Sequence, residues 1–139
     1  MRQLGVVAIA IAALAASRHW LESHGTLLLS VTEMKYPRVG EWFNARSKPD
    51  AVVFASLHSG SVHYYSGRQT VRWDAIPPDR LVPTLASLAA RGVPAYVVLD
   101  GREESDKFER RFGDVLGTRV RVEPVDRLFT TIIATIESR

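Results

Sequence analysis

"VPAYVVLDG", residues 93–101, decides the fold. It is an unbroken apolar run bounded by Pro94 and Gly101. A run with no polar face belongs to a strand covered on both sides, which is the habit of parallel sheets flanked by helices. The neighbouring segments supply such helices. Upstream, "IPPDRLVPTLASLAARG" (76–92) opens on a double proline, carries Leu81, Leu85 and Leu88 at helical spacing, and stops at Gly92. Pro83 falls near the first turn, where proline does least harm. Downstream, "REESDKFERRFGDVLG" (102–117) points Phe108, Phe112 and Val115 inward, and its acidic start suits the helix dipole.

The pattern continues outward. "AVVFAS" (51–56) reads as a buried strand, residues 59–65 as a short helix, and "QTVRWD" (69–74) as a second strand. "TRVRVEPV" (118–125) alternates, so one face is solvated, and "RLFTTIIATIES" (127–138) is a last β-branched run. "PRVGEWFNARS" (37–47) is helical, with Val39, Trp42 and Phe43 on one face. Strands alternating with helices predict a small, mainly parallel, three-layer αβα sheet of Rossmann-like type. The two closing strands suit an antiparallel edge.

The chain begins differently. "MRQLGVVAIAIAALAASRHW" is apolar on every side from Leu4 to Ala16. Those thirteen residues fall short of the roughly 17–25 that a spanning helix needs. Three readings stay open: a signal peptide with Ala13-Leu14-Ala15 at the cleavage site, the stub of a membrane span, or a buried helix. The membrane readings place Arg18, His19 and Trp20 at the interface. The expected organisation is therefore a membrane segment at 1–20, a connector at 21–36 that is not helical, and an α/β domain at 37–139.

Composition narrows the chemistry. The 139 residues carry a net charge of +3, and no lysine/arginine block marks a nucleic-acid partner. There is no cysteine, so disulfides, thiolate zinc and thiol nucleophiles are excluded. His19, His24, His58 and His63 have no metal-ligand spacing. Neither a Walker loop nor a G-x-G-x-x-G fingerprint occurs, and no cofactor is expected.

One loop stands out. "SLHSGSVHYYSGR" (56–68) follows a strand at the edge where parallel sheets bind ligands. Ser59 or Ser61 suits an N-cap, and the free amides beside it suit a phosphate or carboxylate. The candidate binding residues are His58, Ser59, Ser61, Tyr64, Tyr65 and Arg68, with Asp100 at the end of the central strand. The plainer reading makes Ser59 a cap, Val62 and Tyr65 packing residues, and Arg68 and His63 solvated. Asp100 has a plain reading too, as the cap of the next helix, and Trp73 is either core or a stacking platform.

"GEWFNARSKPDAVVFASLHSGSVHYYSGRQTVRWD" and "PAYVVLDGREESDKFERRF" together resemble the C-terminal soluble region of bacterial family 39 glycosyltransferases, the dolichyl-phosphate-mannose protein mannosyltransferase-like membrane proteins. The resemblance spans about residues 37–112. It implies an accessory domain on the periplasmic side of the cytoplasmic membrane. Such a domain positions an acceptor or a polyprenyl-phosphate sugar beside the rest of a membrane enzyme. It carries over no catalytic residue, because family catalysis lies in an acidic loop after the first span. Two alternatives stand beside it: a secreted or membrane-anchored binding module, and a small hydrolase using His58 and Ser59.

Overall fold

The computed structural model describes residues 2–23 and 33–139. It divides into two compact units, Met1–Met34 and Lys35–Arg139. The connector read as non-helical at 21–36 is helical at its described ends, residues 21–23 and 35–36, because the flanking helices extend into it; the part around Gly25 lies outside the described residues.

In the first unit, α1 runs Arg2–Ser23, longer than the apolar run alone suggested. Arg18 and Glu22 pair across one turn at 2.8 Å, which lets the helix continue through its polar end. The 19 residues Gly5–Ser23 have the length and composition to cross a bilayer, a test that signal sequences also pass. At 1.5 Å per residue they reach about 28 Å, close to the hydrocarbon thickness.

The second unit is a mixed α/β layer structure. Its elements are α2 (Lys35–Arg46), β1 (Val52–Ala55), α3 (Ser59–Ser66), β2 (Gln69–Val71), a 3-10 turn (Trp73–Ala75), α4 (Pro78–Ala90), β3 (Ala95–Asp100), α5 (Gly101–Phe112), β4 (Val120–Leu128) and β5 (Thr131–Ser138). The α2 helix starts two residues before Pro37. That is permitted, since the first four amides of a helix have no partner to lose.

The sheet corrects the mainly parallel expectation. Its order is β2-β1-β3-β5-β4. β1 pairs in parallel with β2 and β3, whereas β3–β5 and β5–β4 are antiparallel. The reason is the chain's route after α5. No helix separates β4 from β5, and two strands joined by a tight turn must run antiparallel. β5 takes the inner place because Ile133, Ala134 and Ile136 are buried. β4 takes the edge, where Pro124 and a register shift between Pro124 and Asp126 blunt further pairing.

Alternation along the strands feeds two cores. On one face Val52, Phe54, Val97, Leu99 and Ile136 pack against Leu81, Leu85 and Leu88 of α4 and Phe108 and Phe112 of α5. On the other Val53, Ala55, Val98 and Ile133 pack against Val39, Trp42 and Phe43 of α2 and Val62 of α3. α2 and α3 meet at Gly40, where an added Cβ would lie 2.2 Å from Tyr65 Cβ.

Candidate functional site

The crossovers around β1 and β3 place the site. β1 leads into α3, which packs on the face of Val62, while β3 leads into α5, which packs on the face of Phe108. The two loops therefore diverge to opposite sides of the sheet. Such a divergence opens a crevice at the carboxyl ends of the strands. A cleft of about 420 Å³ lies there, lined by Ser56, Leu57, Trp73, Asp74, Asp100 and Glu104 among others. The size suits a small molecule.

Glu104 ties the crevice together. It is buried in α5 and accepts the backbone N–H of Leu57 at 3.3 Å and that of Asp100. One carboxyl group thus holds the end of β1 to the end of β3. Burial pushes its pKa up, against the two amide bonds that favour the charged form.

Asp100 is the hub of a second set of contacts. Its Oδ2 pairs with Lys35 of α2 and lies 3.4 Å from Nε2 of His58. Its Oδ1 accepts the hydroxyls of Thr130 and Thr131 at 2.7 and 3.3 Å. Burial opposes its ionisation, but the bonds from Lys35 and Thr130 outweigh that and hold its carboxyl below the usual range. His58 is fully buried against Tyr36, with ring centroids 4.8 Å apart. Burial lowers its pKa, although Asp100 pulls the other way, so the ring is neutral near pH 7. Its Nδ1 has no hydrogen-bond partner among the described residues. The cluster joins four parts of the domain: α2, the loop after β1, β3 and the start of β5 with the turn before it.

The structure sorts the residues singled out in the sequence. His58 and Asp100 come together. Ser59 begins α3, but the helix has no side-chain cap, and Ser61 donates to the carbonyl of His58 at 3.0 Å. Tyr64 and Tyr65 are exposed and meet edge to face at 5.0 Å. Arg68 is buried rather than solvated, and its guanidinium serves the fold. It donates to Ser47 Oγ at 3.0 Å, to the Ser66 carbonyl at 2.8 Å, and to the carbonyls of Phe43 and Ser47 at 3.1 Å each. It closes the C-terminal ends of α2 and α3. His63 is exposed, and its Nδ1 lies 3.0 Å from the Arg68 carbonyl. Asp100 stands at the N-cap position of α5 without a side-chain cap bond, while Glu104 reaches back to its amide.

Sequence reasoning missed Lys35, Glu104, Thr130 and Thr131. Lys35 and Asp100 are 65 residues apart, and only the closed sheet brings them together. Glu104 sat four residues after Asp100 in an acidic first turn, a spacing that was legible as a back-bond to the start of the helix. Among the described residues, no cluster of histidine and carboxylate groups could hold a metal ion.

No family model matches this chain, and no curated protein does. A solved structure similar to it is the release factor-specific protein-(glutamine-N5) methyltransferase of Alicyclobacillus acidocaldarius, at 16% identity and a TM-score of 0.38, over 78% of this chain and 92% of that one. The resemblance to the C-terminal region of family 39 glycosyltransferases is corrected, since no family model matches the chain, and the accessory-domain function it implied falls with it. The hydrolase alternative falls as well. His58 has no exposed surface from which to reach a substrate. The likeness to the methyltransferase is too distant to carry an activity to this chain.

Proposed function

We propose that this chain is a membrane-anchored α/β domain that binds a small uncharged or zwitterionic ligand in the cleft between the ends of β1 and β3. The observation that carries the reading is the cleft's place, where the loops after two parallel neighbours part to opposite faces. Its electrostatics choose the ligand class. Asp74 is paired with Arg72, Asp100 with Lys35 and Glu103 with Lys107. Arg111 donates to the carbonyl of Ile76 and offsets Glu104. A balanced site favours a ligand without net charge.

Trp73 adds no hydrogen-bonding demand. It lines the cleft, yet its indole N–H is buried with no acceptor among the described residues. That atom has no exposed surface, so it is a cost carried by the fold and not a contact offered to a ligand. The membrane part of the reading rests on the length and composition of α1. Extraction of membranes with alkaline carbonate tests it: an integral anchor stays in the pellet, and release into the supernatant refutes it.

The cleft is tested by thermal shift on the full chain in a neutral detergent. The panel holds nucleosides, amino acids and small sugars. Leu57 is 71% exposed at the cleft, so Leu57→Arg fills the opening without disturbing the core. A compound that raises the Tm of the parent and not of this variant supports the site. Equal shifts in both proteins, or no shift across the panel, count against it.

A further inference from the structure

A second concave surface lies apart from the cleft, between α2 and the turn joining β4 to β5. Its volume is about 520 Å³. The ring of Trp42 and the side chains of Ala45, Leu128 and Phe129 give it apolar walls. Arg38, Arg46 and Arg127 line it as well. Trp42 donates its indole N–H to Asp126 at 2.7 Å, and Arg46 stands 5.9 Å from the centre of its ring. Arg38 is held by Glu41 at 3.0 Å, whereas Arg127 has no ion-pair partner among the described residues. Three guanidinium groups therefore face two carboxylates, and the excess charge is positive.

Phe129 is the unusual part. It is 57% exposed, and its φ is +56°, in the left-handed region that bulky side chains avoid. Among the described residues it is the non-glycine residue with a positive φ. Phe129 and Thr130 form the two-residue turn between the paired Leu128 and Thr131, and such hairpins ask for a positive φ at their first turn residue. The turn explains the backbone but favours glycine or asparagine there, so the exposed phenylalanine ring is the part that the fold does not require.

We propose that this groove binds an acidic phospholipid, with the start of its acyl chain against Trp42, Leu128 and Phe129 and its phosphate among Arg46 and Arg127. Apolar walls beside guanidinium groups match an amphiphile that joins hydrocarbon to a negative head. A free anion has no use for the aromatic wall, and a cationic lipid is repelled by the arginines. The choice of a lipid over an acidic peptide rests on the proposed membrane anchoring of α1.

The test uses the full chain in a neutral maltoside detergent. Dihexanoyl phosphatidylglycerol is titrated in, with dihexanoyl phosphatidylcholine, glycerol 3-phosphate and hexaglutamate as separate arms. The expected result is a saturable Tm rise of about 3 °C or more with phosphatidylglycerol alone, of the kind that ligand binding to the native state gives. Arg127→Glu, at an exposed and unpaired side chain, is expected to keep the parent Tm and lose the rise. Phe129→Gly is expected to melt at or above the parent, because glycine adopts a positive φ without penalty, and to lose most of the rise. An equal rise with phosphatidylcholine overturns the proposal, as does a rise that survives Arg127→Glu. A rise with glycerol 3-phosphate alone makes the groove a free-anion site, and one with hexaglutamate alone makes it a peptide site. Phe129→Gly melting well below the parent refutes the idea that the ring is held out for a ligand. Carbonate extraction separates the two readings: release of the chain refutes the anchor whatever the lipid does.

Discussion

Replacing Arg68 by methionine keeps the aliphatic stem and removes every guanidinium donor. The side chain is 8% exposed and supports three backbone carbonyls. The Phe43 carbonyl keeps other donors, the amide of Ser47 at 3.0 Å and its hydroxyl at 2.8 Å. The carbonyls of Ser47 and Ser66 lose the guanidinium, and the Ser47 hydroxyl loses a donor. A buried polar atom left without its partner costs about 1–3 kcal/mol. Two such carbonyls, partly reached by water, give about 3 kcal/mol for the variant. The α/β unit Lys35–Arg139 has 105 residues. At about 2.1 cal/mol/K per residue, 3 kcal/mol is a Tm fall of about 14 °C. Lysine at the same position presents its donors from one atom and cannot span two helix ends, so Arg68→Lys is expected to recover less than half of the loss. The assay is thermal melting followed by near-ultraviolet circular dichroism, which reads the packed aromatic rings of the α/β unit above the single exposed tryptophan of α1, Trp20. Arg68→Met melting within about 3 °C of the parent would refute this account of the buried clamp. A Tm rise with inorganic phosphate in the parent, absent in Arg68→Lys, would return Arg68 to the ligand-binding role that its sequence context suggested.

Four further outcomes are expected. Burial holds the pKa of His58 below the ordinary histidine value of 6.5, so its neutral form is the one the fold favours. That contribution is present above pH 6.5 and lost as pH falls through the folded pKa; the Tm should drop below pH 6.5, and His58→Gln should flatten this part of the profile. Unchanged steepness in the variant assigns the drop to another group. Val98→Asp places an unpaired charge at a fully buried position of β3, and a cooperative melt near that of the parent would show that β3 is not central. Gly40→Ala drives a Cβ into Tyr65 Cβ and should cost about 1–3 kcal/mol; Tyr65→Gly should rescue it and Tyr65→Ala should not, because alanine keeps that atom. Removal of residues 1–34 should leave a domain that unfolds cooperatively, because its two cores are built from residues 39–136; an uncooperative melt argues against that.

The parts of this fold that were legible in the sequence are those fixed by neighbours along the chain. The stripe Leu81, Leu85, Leu88 and the face Val39, Trp42, Phe43 are buried as their spacing requires. The run 95–99 lies in the middle strand because it has no charged side chain and Ala95, Val97, Val98 and Leu99 are buried. What failed was a matter of partners rather than of elements. Alternating helices and strands imply parallel neighbours only while a helix returns the chain to the same end of the sheet. After α5 the chain comes back through β4 and turns directly into β5, so the sheet is mixed. The same limit governs the site. A histidine five residues from another histidine gave no sign that His58 would lie under Tyr36 and beside Asp100. An arginine in a loop of serines and glycines looked like an anion ligand because its partners are backbone carbonyls, which every residue carries and no composition reveals. Asp100 was found because it ends a strand, and strand ends are local. Its four partners come from α2, the loop after β1, the turn before β5 and the first residue of β5, and they meet only once β5 has taken its place beside β3. The cluster is therefore a consequence of the antiparallel insertion. A chain that kept its closing strands on the outside would have left Thr130 and Thr131 at the far edge of the sheet, and Asp100 without them.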